Sequence, residues 1–456
     1  MASEAAADDP RTIIAASPMG LRQWIVVVLM IALNALDGFD VLSSAFAAPG
    51  ISKQWGVPRD ALGVVLSAEL VGMGFGSVGL GGLADKIGRR PTMLACLVVM
   101  AIGMYMAHAA GSVTPLTAWR FLTGIGIGGM LAATNAVTAE VTSEKGRSLA
   151  MALYVIGYPL GGVIGGFVAQ GWLLVSYDWR AVFLFGAVVT AGLIPLVFLL
   201  VPETPAFFAA TRPADAVERI NRSLRAFGRT TITALAPRLE GVAKPKVTDI
   251  LSNPQLRPVT LLLAFGYMFH TITFYFVLKW AVKIVADAGY PAPMAASTLT
   301  WANIGGAIGG FLFGFLMKRW SIKGPTIAML VGAMLALAWF GTGHATLWQW
   351  RMAAFLAMFA GNAAIVGYYA AFALCFPAYA RATGTGLVLG IGRAGAAGSP
   401  IIAGYLFKAL GNDRLLAVAC VMALGSAAAA VLMALLPLRD GDRLGVDQLP
   451  DGEPID

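Results

Sequence analysis

Apolar residues run in long blocks along this chain, broken by short clusters of charge, glycine and proline. Blocks long enough to cross a hydrocarbon core of about 30 Å as a helix, at about 1.5 Å per residue, fall at residues 22–48, 61–83, 91–110, 116–140, 147–171, 181–201, 257–283, 295–317, 324–343, 346–375, 383–408 and 413–437. The pattern predicts an all-α polytopic membrane protein with twelve spanning helices. An even number of spans puts both termini on one side. Loops on that side hold Lys86, Arg89, Arg90, Lys145, Arg147, Lys318, Arg319, Lys323 and Arg381, while the opposite loops are short and less basic. Basic loops stay in the cytoplasm, so both termini are expected there, with the chain in the inner membrane.

The one long polar stretch, 202–256, separates six blocks from six. Its basic middle, with Arg219, Arg222, Arg225 and Arg229, predicts an amphipathic helix lying near anionic headgroups. The expected organisation is a tail (1–21), a six-helix bundle (22–201), a cytoplasmic loop (202–256), a second six-helix bundle (257–437) and a second tail (438–456). Such a division suggests an internal duplication.

Composition agrees with the blocks: 58% hydrophobic and 12% charged residues and a mean hydropathy of +0.76 belong to the membrane class. The 54 glycines suit helices whose backbones approach closely. A net charge of +8 does not point to nucleic acid, because the cations form no patch interleaved with aromatics. Cys96, Cys375 and Cys420 stand apart in apolar blocks without metal spacing and read as small core residues. The first twenty residues lack the pattern of a removable signal peptide. No nucleotide loop, metal cluster or nucleophile with its base is visible, so the chain is not expected to be an enzyme.

The first block contains Leu36-Asp37-Gly38-Phe39-Asp40. Asp37 is roughly 22 Å along the helix from Arg22, past the midplane, where a charged side chain costs several kcal/mol unless it finds a counter-charge, water or a proton. Asp37 and Asp40 share a helix face, where like charges repel by roughly 3 kcal/mol at an effective dielectric near 20. Such a pair is suited to load and release a proton; the alternative is that the two acids satisfy backbone loosened at Gly38 or cap a neighbouring helix. Arg120, in the fourth block, reaches a similar depth from the other direction, which makes an ion pair with the acids possible. Glu69, in the second block, is either a structural partner or a second proton site. In the second half, Arg393 lies too deep to snorkel and needs a fixed acid, such as Glu69, or an anionic substrate. Aromatic and amide side chains gather there as well: Tyr267, His270, Tyr275, Tyr368, Tyr369, Asn303 and Asn362. Rings with polar tips suit a flat hydroxylated ligand, although a lone histidine is more often a hydrogen-bonded core residue.

The loop after the second block, Gly81-Gly82-Leu83-Ala84-Asp85-Lys86-Ile87-Gly88-Arg89-Arg90-Pro91, resembles the signature of the major facilitator superfamily, and the loop from Gly314 to Pro325 is similar to a decayed copy of it. The resemblance implies two pseudo-symmetric six-helix bundles around a cavity lined by helices 1, 4, 7 and 10. In that family this loop gates the movement of the halves, with Gly81 and Gly88 shaping the turn, Asp85 capping a neighbouring helix and Arg89 and Arg90 pairing across the cytoplasmic face. It also implies a relay role for Arg120, followed by Gly124, Gly126, Gly128 and Gly129; Glu140, about 30 Å further on, resembles with Arg147 the family's cytoplasmic charge network. The ending Pro202-Glu203-Thr204-Pro205 is similar to that of sugar and organic-acid importers.

More narrowly, Asp37-Gly38-Phe39-Asp40 with Pro49 and Trp55-Gly56, together with Arg120, Glu140 and Gly392-Arg393-Ala394-Gly395, resembles the aromatic acid:proton symporter family, departing from it at Leu131-Ala132-Ala133. That resemblance implies uptake of a benzoate- or hydroxybenzoate-like anion with protons. Asp37, Asp40, Arg120 and Glu140 would couple the proton, and Arg393, His270, Tyr267, Tyr275, Asn303, Tyr368 and Tyr369 would contact the substrate. The energy source would be the proton gradient, with no cofactor, in a protein functional as a monomer in the lipid bilayer. The alternatives are an importer of another organic acid such as muconate, a proton-driven exporter, whose glycine-proline step is interrupted here by Tyr158, and a membrane sensor.

Overall fold

The computed structural model describes residues 9–235, 246–317, 320–377, 379–411 and 413–438. Among them twelve helices are long and apolar enough to cross a membrane. They are α1 (Leu21–Trp55), α2 (Arg59–Ile87), α3 (Arg89–His108), α4 (Val113–Val141), α5 (Glu144–Val168), α6 (Arg180–Leu200), α7 (Leu256–Asp287), α8 (Ala292–Leu316), α9 (Lys323–Gly341), α10 (Leu347–Cys375), α11 (Arg381–Leu410) and α12 (Leu415–Ala434). A π-helical turn at Ala169–Leu173 carries α5 on to Ser176. Each apolar block has become one helix, the form in which backbone polar groups need no water. The helices overrun the blocks where polar residues follow in helical register. With 35 residues α1 passes through Pro49 to Trp55, about 52 Å of helix. It ends at Gly56, whose φ of 61° suits a residue without a side chain.

The described residues group into two compact units. One draws on Met1–Ser43, Ala68–Gly165 and Tyr177–Glu240, the other on Ser44–Ser67, Gly166–Ser176 and Gly241–Asp456. The grouping departs from a simple division at the long loop: the end of α1, the start of α2 and the end of α5 belong with the C-terminal helices. Within that second unit the reasons are specific. Arg59 Nη2 is 2.7 Å from an Asp287 carboxylate oxygen, Lys408 Nζ is 2.6 Å from Asp60, and the Ser67 hydroxyl donates to the Ala397 carbonyl at 2.5 Å.

Both units use glycine to bring helices together, and the arrangement repeats. In the first, Gly72 and Gly76 of α2 lie on the carbonyls of Phe121 and Ile125 in α4; in the second, Gly305 and Gly309 of α8 lie on the carbonyls of Phe355 and Phe359 in α10. The same helix pair, the same four-residue step and the same small-residue packing in each half is what an internal duplication leaves. The second copy of the loop signature includes Lys318 and Arg319, which lie outside the described residues.

Gly38 has a packing role. A Cβ there would fall on the backbone of Tyr158 in α5, and one at Gly161 on the carbonyl of Ala35. The helix runs unbroken through Gly38, so Asp37 and Asp40 have no loosened backbone to satisfy. In the central loop, the predicted amphipathic helix forms at Ala216–Ala226, but its apolar face is covered by protein. Ile220 and Leu224 are buried, the Ser223 hydroxyl donates to the Glu203 carbonyl at 2.6 Å, and Arg22 reaches the Ala226 carbonyl at 3.1 Å.

Replacing Gly38 with alanine is expected to lower stability by about 1–3 kcal/mol through overpacking, seen as earlier loss of monodisperse protein on heating in detergent. The control is Gly79→Ala, at a glycine with open space around it, which is expected not to lower stability.

Candidate functional site

In the first unit, Asp37 and Asp40 are wholly buried. Among the described residues none of their four carboxyl oxygens has a hydrogen-bond partner. One turn earlier Asn34 donates to the Tyr154 carbonyl at 2.6 Å, and the Tyr154 hydroxyl lies 2.9 Å from that of Thr134. Between the two acids Phe39 points elsewhere, meeting Phe185 edge-on at 5.4 Å. The Asp40 carboxyl faces α6 at Gly186, where an added Cβ would stand 3.0 Å from its Oδ1. An ionised carboxylate with no donor in such surroundings carries a large desolvation penalty.

Arg120 does not satisfy these oxygens. Its guanidinium pairs with the Glu69 carboxylate, and both side chains have zero exposure. One of its nitrogens also donates to the main-chain carbonyl of Asp40 at 2.7 Å. Nη1 is 2.7 Å from the Met104 sulfur, and the guanidinium lies 5.3 Å from the Phe183 ring centroid. Arg120 thus ties α1, α2, α3 and α6 to α4, through the backbone of α1 and the acid of α2. The sequence left Glu69 open as a structural partner or a second proton site, with Arg393 as a possible partner; here it pairs with Arg120.

Glu140 is elsewhere. At the other end of α4 its Oε1 accepts from Arg89 Nη2 at 3.1 Å and its Oε2 from the Thr204 hydroxyl at 2.5 Å. Arg89 also reaches Asp85 at 2.9 Å and the Ala84 carbonyl at 2.8 Å. The start of α3 is capped by Glu203, not by Asp85: the Glu203 carboxylate accepts from the backbone N–H groups of Arg89 and Arg90, each at 3.1 Å. Gly88, with φ 113°, leaves room for that carboxylate, which a Cβ would strike. Burial pushes the Glu203 carboxyl above its usual range, against the pull of the Thr204, Arg90 and Arg89 amides. Arg90 donates to the Phe198 carbonyl at 2.5 Å with its guanidinium 4.9 Å from the Phe198 ring. Gly81 rests against Ala132.

In the second unit α7, α10 and α11 build an aromatic cluster. Tyr267 meets Tyr368 and Phe372 edge-on, each at 5.6 Å, and lies 6.1 Å from Tyr369. His270 is committed: Nε2 donates to the Gly361 carbonyl at 2.8 Å and Nδ1 lies 2.9 Å from the Ser426 hydroxyl, a bonding pattern that a neutral ring satisfies. Tyr368 is buried with its hydroxyl on the Ala429 carbonyl at 3.2 Å. Asn303 bonds back to Leu299 of its own helix at 2.8 Å, and Asn362 donates to the Gly306 carbonyl at 2.7 Å. Tyr275 packs on Phe274 at 5.6 Å and is half-buried, as is Arg393. The Gly-Arg-x-Gly step seats α11 on α7: Gly392 lies under the Tyr267 ring and Gly395 on the Met268 carbonyl, with the Thr271 hydroxyl donating to the Gly392 carbonyl at 2.9 Å.

Residues 28–358 match the family model of the Major Facilitator Superfamily. The chain belongs to that superfamily. It is a multi-pass membrane transporter and not an enzyme. Among curated superfamily members, it is 29% identical over 433 residues to a gallate transporter of Pseudomonas putida, covering 90% of this chain and 93% of that one. It is 30% identical over 438 residues to the 4-hydroxybenzoate transporter PcaK of Pseudomonas aeruginosa, covering 93% and 95%. The fold is that of the xylose transporter XylE from E. coli in a partially occluded inward open conformation, with a TM-score of 0.70, 15% identity and coverage of 94% of this chain and 100% of that one.

For this superfamily member, Glu69→Gln is expected to cost about 3–5 kcal/mol by leaving the Arg120 cation buried without its acid, and Arg120→Gln a similar amount. The double substitution should lose clearly less than the sum of the two. Thermal unfolding of the three purified variants in detergent provides the check.

Proposed function

We propose that this transporter imports an aromatic carboxylate of the benzoate and hydroxybenzoate class together with protons. The observation that carries the reading is the pair Asp37 and Asp40: two buried carboxyl groups one turn apart, without a hydrogen-bond partner among the described residues, beside an arginine already answered by Glu69. Buried carboxyls with no hydrogen-bond donor are suited to carrying protons. The substrate class is supported by the relatives, named as transporters of gallate and 4-hydroxybenzoate, and by the aromatic lining beside Arg393.

In this reading, while the protein is open to the outside, a proton settles on Asp37 or Asp40 of the first unit and the anion binds against Arg393 of the second. Proton and anion together leave the interior near neutrality, which favours closure and release on the other side. Because Asp37 and Asp40 have no solvent exposure in this arrangement, proton exchange requires helix movement, and that requirement couples the proton to the transport cycle. Each net positive charge carried inward gains about 2.3 kcal/mol per 100 mV, so more than one proton per monoanion makes uptake electrogenic. Glu140 belongs to the cytoplasmic network with Arg89, where it would act on gating through the loop containing Asp85. The protein would work as a monomer in the inner membrane with both termini cytoplasmic, on the proton gradient and without a cofactor.

Asp37→Asn is expected to abolish accumulation driven by a pH gradient in proteoliposomes offered labelled 4-hydroxybenzoate, with membrane insertion intact. Full gradient-driven accumulation by this variant would remove Asp37 from the mechanism.

A further inference from the structure

Tyr267 is held from several sides, edge-on by Tyr368 and Phe372 and from below by Gly392, where any Cβ would strike the ring. A ring so fixed has its hydroxyl fixed as well. Among the described residues the hydrogen bond of that hydroxyl is to the hydroxyl of Tyr369, at 3.4 Å, the long end of the useful range. Two phenols sharing one long bond keep a donor and several lone pairs available. The neighbouring tyrosines of α10 differ sharply in what surrounds them. Tyr368 has no exposure, whereas Tyr369 is 46% exposed. One is built into the core and the other is presented from it.

Arg393 follows Gly392 directly, so the cation stands at the level of α11 where the chain passes under Tyr267. Counted from the N-terminal ends of their helices, Tyr267 and Arg393 are at similar depths, about 16 and 18 Å. The unit therefore carries, at one level, a group for a carboxylate and a pair of phenols able to donate to or accept from a hydroxyl.

We propose that the Tyr267–Tyr369 hydroxyl pair reads the ring hydroxyls of the substrate and sets a preference for hydroxylated over bare benzoates. This rests on the aromatic-acid import proposed above. A substrate hydroxyl replaces a long bond with better ones, while a bare ring leaves the pair as it was. Discrimination of this kind comes from polar groups that only the right substrate satisfies.

The test is the initial rate of uptake of labelled 4-hydroxybenzoate and labelled benzoate into proteoliposomes under one inward proton gradient, for the natural protein, Tyr369→Phe and Tyr267→Phe. The natural protein should favour 4-hydroxybenzoate. Each phenylalanine variant should lower the ratio of kcat/KM values for the two acids by about five- to tenfold, mainly through KM for the hydroxylated acid. A preference absent from the natural protein, an unchanged ratio in the variants, or an equal loss for both acids overturns the assignment while import itself stands. Accumulation of neither acid by the natural protein overturns the import reading and this inference with it.

Discussion

A guanidinium with zero exposure inside a membrane-spanning bundle must be met by an acid, and Glu69 meets Arg120. Much of the first unit is arranged around that contact. Gly124 lets α4 lie directly on the backbone of Glu69, Arg120 reaches across to the main chain of α1 at Asp40, and Phe183 covers the guanidinium from α6. Glu69 meets the cation, while the buried carboxyls of Asp37 and Asp40 on α1 make no hydrogen bond among the described residues. On the proposed reading, those two carboxyls are the groups that carry the proton.

The second constraint is close helix approach. Without a hydrophobic driving force between helices in lipid, packing depends on how near their backbones can come. The α2–α4 and α8–α10 pairs solve this with the same glycine step, and α1 meets α5 through Gly38 and Gly161. The acids of α1 are therefore held by a tightly packed segment with no slack. At the loop between α2 and α3, Glu203 holds the start of α3 by its backbone amides while Arg89 joins Asp85 and Glu140, so α2, α3, α4 and the chain after α6 are tied at one place.

Much of this was legible from the residues. The twelve blocks became twelve helices because spanning length and apolarity leave a chain in lipid few other forms, and Asp37, Asp40 and Arg120 stood out by depth. The partner of Arg120 was not legible: depth arithmetic places an acid along a helix axis but not around it, and it set the α1 acids, not Glu69, opposite Arg120. Glu203 as the cap of α3 joins positions more than a hundred residues apart, and no local pattern carries that. The aromatic residues of α7 and α10 were readable as such, but their division into His270 and Tyr368, locked by bonds to α10 and α12, and Tyr267 and Tyr369, presented as a pair, needs the helix rotations. The basic amphipathic helix was legible as a helix, but not what covers it: an apolar face looks the same whether lipid or protein does.

The most direct measurement is proton movement accompanying the substrate. Proteoliposomes in weakly buffered medium with no imposed gradient, given an inward-directed concentration of 4-hydroxybenzoate, should alkalinise the outside as the acid enters, and the Asp37→Asn variant should not. Entry of the acid with no change in external pH would contradict the account at its centre, because the two spare carboxyls would then be carrying nothing.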